Sequence, residues 1–125
     1  MMEGKISELR EAVIRLNISG PESSQEIEAV LDTGFNGFLT LSRPVVQALG
    51  LLARGSRRAT LADGSIVALD VYRATVQWNG QKRRVLVLQA EGGSLVGMSL
   101  LYGSRVVLDV VEGGDVLIEP LPATR

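Results

Sequence analysis

The chain has 125 residues, 46% of them apolar and 22% charged, with a formal net charge of −1. That suits one domain with a modest core, is too apolar for a disordered chain, and lacks the basic excess of a nucleic-acid binder. The absence of Cys and His excludes disulfides, thiolate and imidazole metal sites, Cys nucleophiles and a Ser-His-Asp triad, leaving carboxylates, Lys and Tyr for acid–base chemistry.

In chain order, the first stretch is ambiguous. Ile6, Leu9, Val13 and Leu16 fit one face of a helix, whereas Ile14, Leu16 and Ile18 alternate with Arg15, Asn17 and Ser19 as in a strand. The N-terminus shows no signal-peptide pattern and no run reaches transmembrane length, so the expected location is the cytoplasm, with no membrane contact. Gly20–Ser24 reads as a loop and Glu26–Leu31 as a strand running into Asp32-Thr33-Gly34. After a turn at Phe35–Gly37, Phe38–Leu41 is a second apolar strand. Ser42 and Pro44 then open a short helix with Val45, Val46 and Leu49 on its buried face, stopped by Gly50.

The second half reads as hairpins. Asp63-Gly64 and Asn79-Gly80 are type I′ turn signals, because that turn needs positive φ at both central residues. The long run Ile66–Trp78 changes its apolar parity near Asp70, which predicts a bend or bulge. Ser94–Tyr102 holds a short apolar helix. Arg105–Val111 and Asp115–Leu121 form a last hairpin around Glu112-Gly113-Gly114. The basic clusters Arg54–Arg58 and Lys82–Arg84 flank strands and read as solvated edges rather than a nucleic-acid surface. The expected architecture is all-β, a barrel of hairpins with one or two short helices, in a single domain over residues 1–125.

The chemistry centres on Asp32. An ionisable carboxyl between the apolar segments Ala29-Val30-Leu31 and Phe38-Leu39-Thr40-Leu41 is costly unless it is compensated. From this segment alone, Asp32 is either a turn aspartate bonding its own backbone or a reactive group. Asp63 is assigned to turn geometry.

AVLDTGFNGFLTL, residues 29–41, resembles the active-site loop of the retropepsin-like aspartic proteases, above all small bacterial and archaeal members with a DTGFNGF-type loop. Thr60–Ser65 sits where that family carries its flap hairpin. Leu95–Leu101 resembles the apolar-apolar-Gly segment before its C-terminal helix. The resemblance spans nearly the whole chain and is weakest over Met1–Ser24. It implies a closed, orthogonal acid-protease barrel and an aspartic endopeptidase. Asp32 is then the catalytic aspartate, Thr33 the residue whose hydroxyl bonds across a dimer, and Gly34 the glycine that admits close backbone approach. Phe35, Asn36, Gly37, Leu61, Ala62, Asp63, Gly64, Ser65 and Val96 are the substrate-binding positions. The hairpin tip is otherwise a plain surface turn.

One Asp-Thr-Gly in so short a chain implies a homodimer, with the second carboxylate supplied by the partner. Two carboxylates about 3 Å apart share one proton and titrate as a pair. The expected partners are a second copy and a peptide or protein substrate, with no cofactor and no metal. Met1–Ile6 and Val116–Leu121 are expected to contribute the dimer contact as edge strands. The sequence departs from the viral pattern at Phe35, where a residue without a hydroxyl follows the glycine. It also departs at Asn36 and Met98, which replace an Asp and an Arg that pair in viral members. The alternatives are a non-catalytic peptide-binding or dimerisation module of the same fold, or a small β-barrel that binds another ligand.

Overall fold

A computed structural model describes residues 1–122, so the last three positions of the expected domain lie outside it. The strands are β1 (Met2–Ile6), β2 (Ala12–Ser19), β3 (Ser24–Leu31), β4 (Leu39–Leu41), β5 (Ala53–Thr60), β6 (Ile66–Trp78), β7 (Gln81–Gln89), β8 (Ser94–Val96), β9 (Ser104–Leu108) and β10 (Asp115–Pro120). Two short helices interrupt them, α1 (Arg43–Leu49) and α2 (Met98–Leu101). The sheet order is β5-β6-β7-β4-β8-β3-β2-β1-β10-β9, and an added β6–β2 pairing through Ile18–Val76 and Ser19–Thr75 closes six strands into a barrel. The all-β expectation therefore holds.

The barrel closes around residues supplied by alternation. Ile14, Leu16 and Ile18 of β2 point inward while Arg15, Asn17 and Ser19 face solvent. The strand reading wins at the N-terminus because Ser7–Glu11 is a tight turn. Ser7 N–H donates to Glu11 O, and Arg10 adopts φ +63°. Leu9, which a helical face would have buried, is 75% exposed. Leu39, Leu41, Val76, Val87 and Val96 complete the core. Leu39 pairs Val96 of β8 and Val87 of β7 and is fully buried. We expect Leu39→Ala to lower unfolding free energy by about 2–5 kcal/mol, read as a shifted denaturant midpoint with an unchanged slope.

Helix α1 follows its sequence signals. Ser42 is the N-cap residue, although its hydroxyl makes no cap bond, and Pro stands in the first turn. Val46 and Leu49 are buried. Gly50 ends the helix at φ +70°, where a Cβ would also strike Glu22. Ser23 Oγ donates to Ala48 O at 2.8 Å and ties the Gly20–Ser24 loop to the end of the helix.

Two features differ from expectation, and one holds with an addition. The bulge lies on β5 rather than β6: the register slips between Ala53 and Ser56, with Gly55 at φ +116° opposite the Asp70–Tyr72 stretch. The Ser94–Tyr102 segment holds its short helix at Met98–Leu101, and its first residues add a strand, pairing with β3 as β8. Lastly, β1 and β10 are not edges. β1 lies between β2 and β10, and β10 between β1 and β9, so these two strands have partners on both sides and offer no unpaired backbone edge. The open edges among the described residues are β5 and β9. Among the described residues no helix is long and apolar enough to cross a membrane.

Candidate active site

Asp32 sits where β3 leaves the barrel. β8 runs between β3 and β4, parallel to the first and antiparallel to the second. The carbonyl of Val96 accepts the Asp32 N–H at 2.9 Å and so fixes the end of β3. Asp32 Oδ1 accepts the Gly34 N–H at 2.9 Å, and the Asp32 carbonyl accepts the Phe35 N–H at 3.2 Å. The turn-aspartate geometry is therefore present. The bond to Oδ1 also orients the carboxylate, and Oδ2 has no hydrogen-bond partner among the described residues. Asp32 itself is half-buried and Thr33 exposed.

The loop is held from beneath by α2, through backbone and one hydroxyl. Met98 N–H donates to Phe35 O at 2.8 Å, Ser99 N–H to Gly37 O at 3.1 Å, and Gly97 N–H to Phe38 O at 3.0 Å. Ser99 Oγ donates to Asn36 O at 2.5 Å. These bonds join the loop to the helix at the two positions, Asn36 and Met98, where the resemblance had removed an ion pair. Thr40 Oγ1 accepts the Leu95 N–H at 2.8 Å and secures β8 to β4.

Phe35 packs rather than lines a pocket. A Cβ on Gly37 would lie 2.6 Å from its Cζ, and one on Gly97 2.6 Å from its Cδ2. The ring fills the space that two glycines leave, which explains an apolar residue directly after the Asp-Thr-Gly turn.

An apolar groove of about 1100 Å³ opens beside Asp32 and Thr33. Its walls include Leu101 and Tyr102 from α2 and its end, and Val106 and Leu108 from β9. Glu11 is the other carboxylate on the wall, and no hydrogen bond joins it to Asp32. Of the expected site residues, only Asp32 and Thr33 reach this groove. Phe35, Asn36 and Gly37 lie in the supporting loop. Val96 is fully buried, so its side chain faces the core and only its carbonyl serves the site, by holding Asp32. Reasoning from sequence missed Tyr102, Val106 and Leu108 as groove residues. The signal was available: Val106, Val107 and Leu108 are apolar at consecutive positions, so both faces of that strand carry apolar side chains.

Leu61–Ser65 is an exposed hairpin tip away from the groove walls. It is not the type I′ turn expected. Leu61 N–H donates to Ser65 O and Gly64 N–H to Leu61 O, with positive φ at Gly64 (+86°) but not at Asp63. This is a type I turn with a glycine bulge. Asn79-Gly80 does have positive φ at both residues, +50° and +79°. Asp63 Oδ1 accepts from both Ser65 Oγ (2.6 Å) and Ser65 N–H (2.9 Å), and these bonds, the hydroxyl first, hold its carboxyl below the usual Asp range. A lowered native value means the turn is fully supported above the ordinary Asp value of about 3.9 and loses that support as pH falls through the native one. We expect the Ser65 amide resonance to shift over that acidic window in the wild type and to stay flat in Asp63→Asn.

Among the described residues no cluster of three or more Asp or Glu could hold a metal ion. No protein-family model matches the sequence, and no curated protein does. Among solved structures, the chain is similar to EIAV protease complexed with the inhibitor HBY-793, with 20% identity, a TM-score of 0.55, and coverage of 78% of this chain and 93% of that one. The closed six-strand barrel with Asp32 at the end of β3 is thus a retropepsin-like fold.

Proposed function

We propose that this chain is one retropepsin-like domain of an aspartic endopeptidase, active as a homodimer in which each copy supplies Asp32. The observation that carries the reading is the position of Asp32, with one oxygen held by the turn and the other without a partner among the described residues, beside an apolar groove in a retropepsin-like fold. Fold alone does not assign activity; the oriented carboxylate adds the chemistry.

Two Asp32 carboxylates facing across a dimer axis share one proton. The ionised member takes a proton from a bound water while that water's oxygen bonds the scissile carbonyl carbon. The protonated member gives its proton to the carbonyl oxygen. The tetrahedral intermediate collapses as the first Asp32 passes the water's proton to the amide nitrogen, one hydroxyl gives its proton to the other Asp32, and the C–N bond breaks, leaving a carboxylic acid and an amine with the shared proton restored to the pair. Gly34 and Thr33 position the loop, with the Thr33 hydroxyl directed to the partner. The tip Leu61–Ser65 closes over an extended peptide, as mobile hairpins close over substrate. Phe35, Asn36 and Gly37 support the floor of the cleft.

The test is digestion of a peptide library from about pH 4 to 8, where cleavage should follow a bell in pH, as a shared-proton dyad requires. Peptide binding without turnover at any pH would replace this reading with the second, a non-catalytic peptide-binding module, for which the apolar groove is the favouring observation.

A further inference from the structure

The sheet has an edge beside Asp32 that is built like a self-complementary interface. Among the described residues β9 pairs on one side only, with β10. Asp109 N–H donates to Asp115 O, and Gly103 O accepts from Leu121 N–H, so the odd-numbered residues turn their backbone polar groups toward β10. Alternation then turns those of Val106 and Leu108 outward, unpaired, along the free edge. The same two side chains line the Asp32 groove. Val107 and Leu108 are each 42% exposed and Val110, just beyond, 69%. An open backbone edge bordered by this much apolar surface invites pairing with another chain.

We propose that the occupant is a second copy, joined by antiparallel β9–β9 pairing with the two-fold axis at Val107. The charge pattern selects this register. Arg105 and Asp109 flank Val107 at equal distances in sequence, so each Arg105 falls opposite the partner's Asp109. The same register sets each Val106 opposite the partner's Leu108, both with outward backbone groups, so each such pair can exchange its N–H···O bonds. A slip by one pairing step leaves Arg105 opposite an apolar residue. The axis of an antiparallel pair stands perpendicular to the sheet, so both Asp32 grooves open on the same face and continue into one another. The arrangement also follows from strand order. β1 and β10 are already paired within the chain, so the copies meet edge to edge and do not interleave their ends. It rests on the dyad reading in one respect: that reading requires a second copy to complete the site.

The chain has no cysteine, so Val107→Cys introduces a single thiol. Cross-strand Cβ atoms at a non-hydrogen-bonded pair lie about 4.5–5.5 Å apart, close to disulfide reach. We expect Val107→Cys to form a covalent dimer with oxidised glutathione at a protein concentration where a thiol placed at exposed Gly93, far from β9 in sequence, stays monomeric. Arg105→Asp should raise the dimer dissociation constant about tenfold by setting like charges opposite each other twice. The swap Arg105→Asp with Asp109→Arg should return it to within about threefold of wild type, since the pair is restored with its signs exchanged. That rescue separates the interface from loss of the Arg105–Glu119 contact within one chain, which the swap does not restore. A wild-type dimer by ultracentrifugation that neither cross-links through Val107→Cys nor weakens with Arg105→Asp overturns this interface while leaving the dyad reading standing. A wild-type monomer that cleaves peptides overturns both.

Discussion

Asp32→Asn should abolish peptide cleavage, with turnover down by about 10²–10⁴-fold or more, while the protein stays folded and dimeric. The side-chain amide has nearly the shape of the carboxylate. Its oxygen can still accept the Gly34 N–H that Asp32 Oδ1 accepts at 2.9 Å, so the turn is kept. What is lost is the group that accepts a proton from water and the acid that donates one. Both carboxylates of the proposed dyad change together. Mixing wild type with excess Asp32→Asn should therefore remove activity faster than dilution does, because each mixed dimer holds a single acidic partner. Dimer stability should be equal or higher, since two crowded carboxylates oppose association unless they share a proton. Matched circular dichroism and sedimentation alongside peptide turnover check the result. Wild-type turnover by a clean Asp32→Asn preparation would remove Asp32 from the mechanism.

Gly97→Ala should cost activity on a similar scale for a wholly different reason. Gly97 lies outside the Asp-Thr-Gly turn, yet a Cβ there would come 2.1 Å from Gly37 O, 2.6 Å from Phe35 Cδ2 and 2.7 Å from Phe35 O. Two of these are backbone atoms of the loop that carries Asp32, and they cannot rotate away. The backbone of Gly97 itself (φ −98°, ψ 177°) is open to any residue, so the effect is steric and not conformational. The loop must move, straining the bonds from Met98 and Ser99 that hold it to α2. A displacement near 1 Å at reacting groups costs about 10²-fold in rate, and overpacking costs about 1–3 kcal/mol in stability. Gly93→Ala is the control. It too has no positive φ, but no atom lies within 4 Å of its added Cβ, so both rate and stability should stay near wild type. Equal behaviour of the two variants in turnover and thermal unfolding would show that the α2 contact does not position the loop.

Local signals carried much of the fold because they act through local physics. Alternation in β2, the positive φ of Asn79-Gly80 and the Ser42–Gly50 limits of α1 are all set by nearest neighbours, and the structure keeps them. Where locality gave two answers, contacts distant in sequence decided. Ser94–Val96 has the apolar character of a helix or a strand, and it is a strand because β3 and β4 each offer it backbone partners. The tip at Asp63 gave up the two-residue turn for a bulge, with Ser65 bonding the aspartate twice.

The site divides along the same line. The amino-acid sequence by itself determined that acid–base chemistry could fall only to carboxylates, Lys or Tyr, and it marked Asp32-Thr33-Gly34 between two apolar segments. Only the tertiary structure decided that Val96 turns its side chain to the core and lends only its carbonyl, and that Phe35 fills the gap over Gly37 and Gly97. It also decided that β1 and β10 lie inside the sheet, leaving β9 as the open edge beside the groove. The physical reason is that a residue type fixes what chemistry a side chain can do and which backbone angles it favours. Which strand pairs with which, and therefore which surface is left uncovered, is a property of contacts between residues as far apart as Lys5 and Asp115.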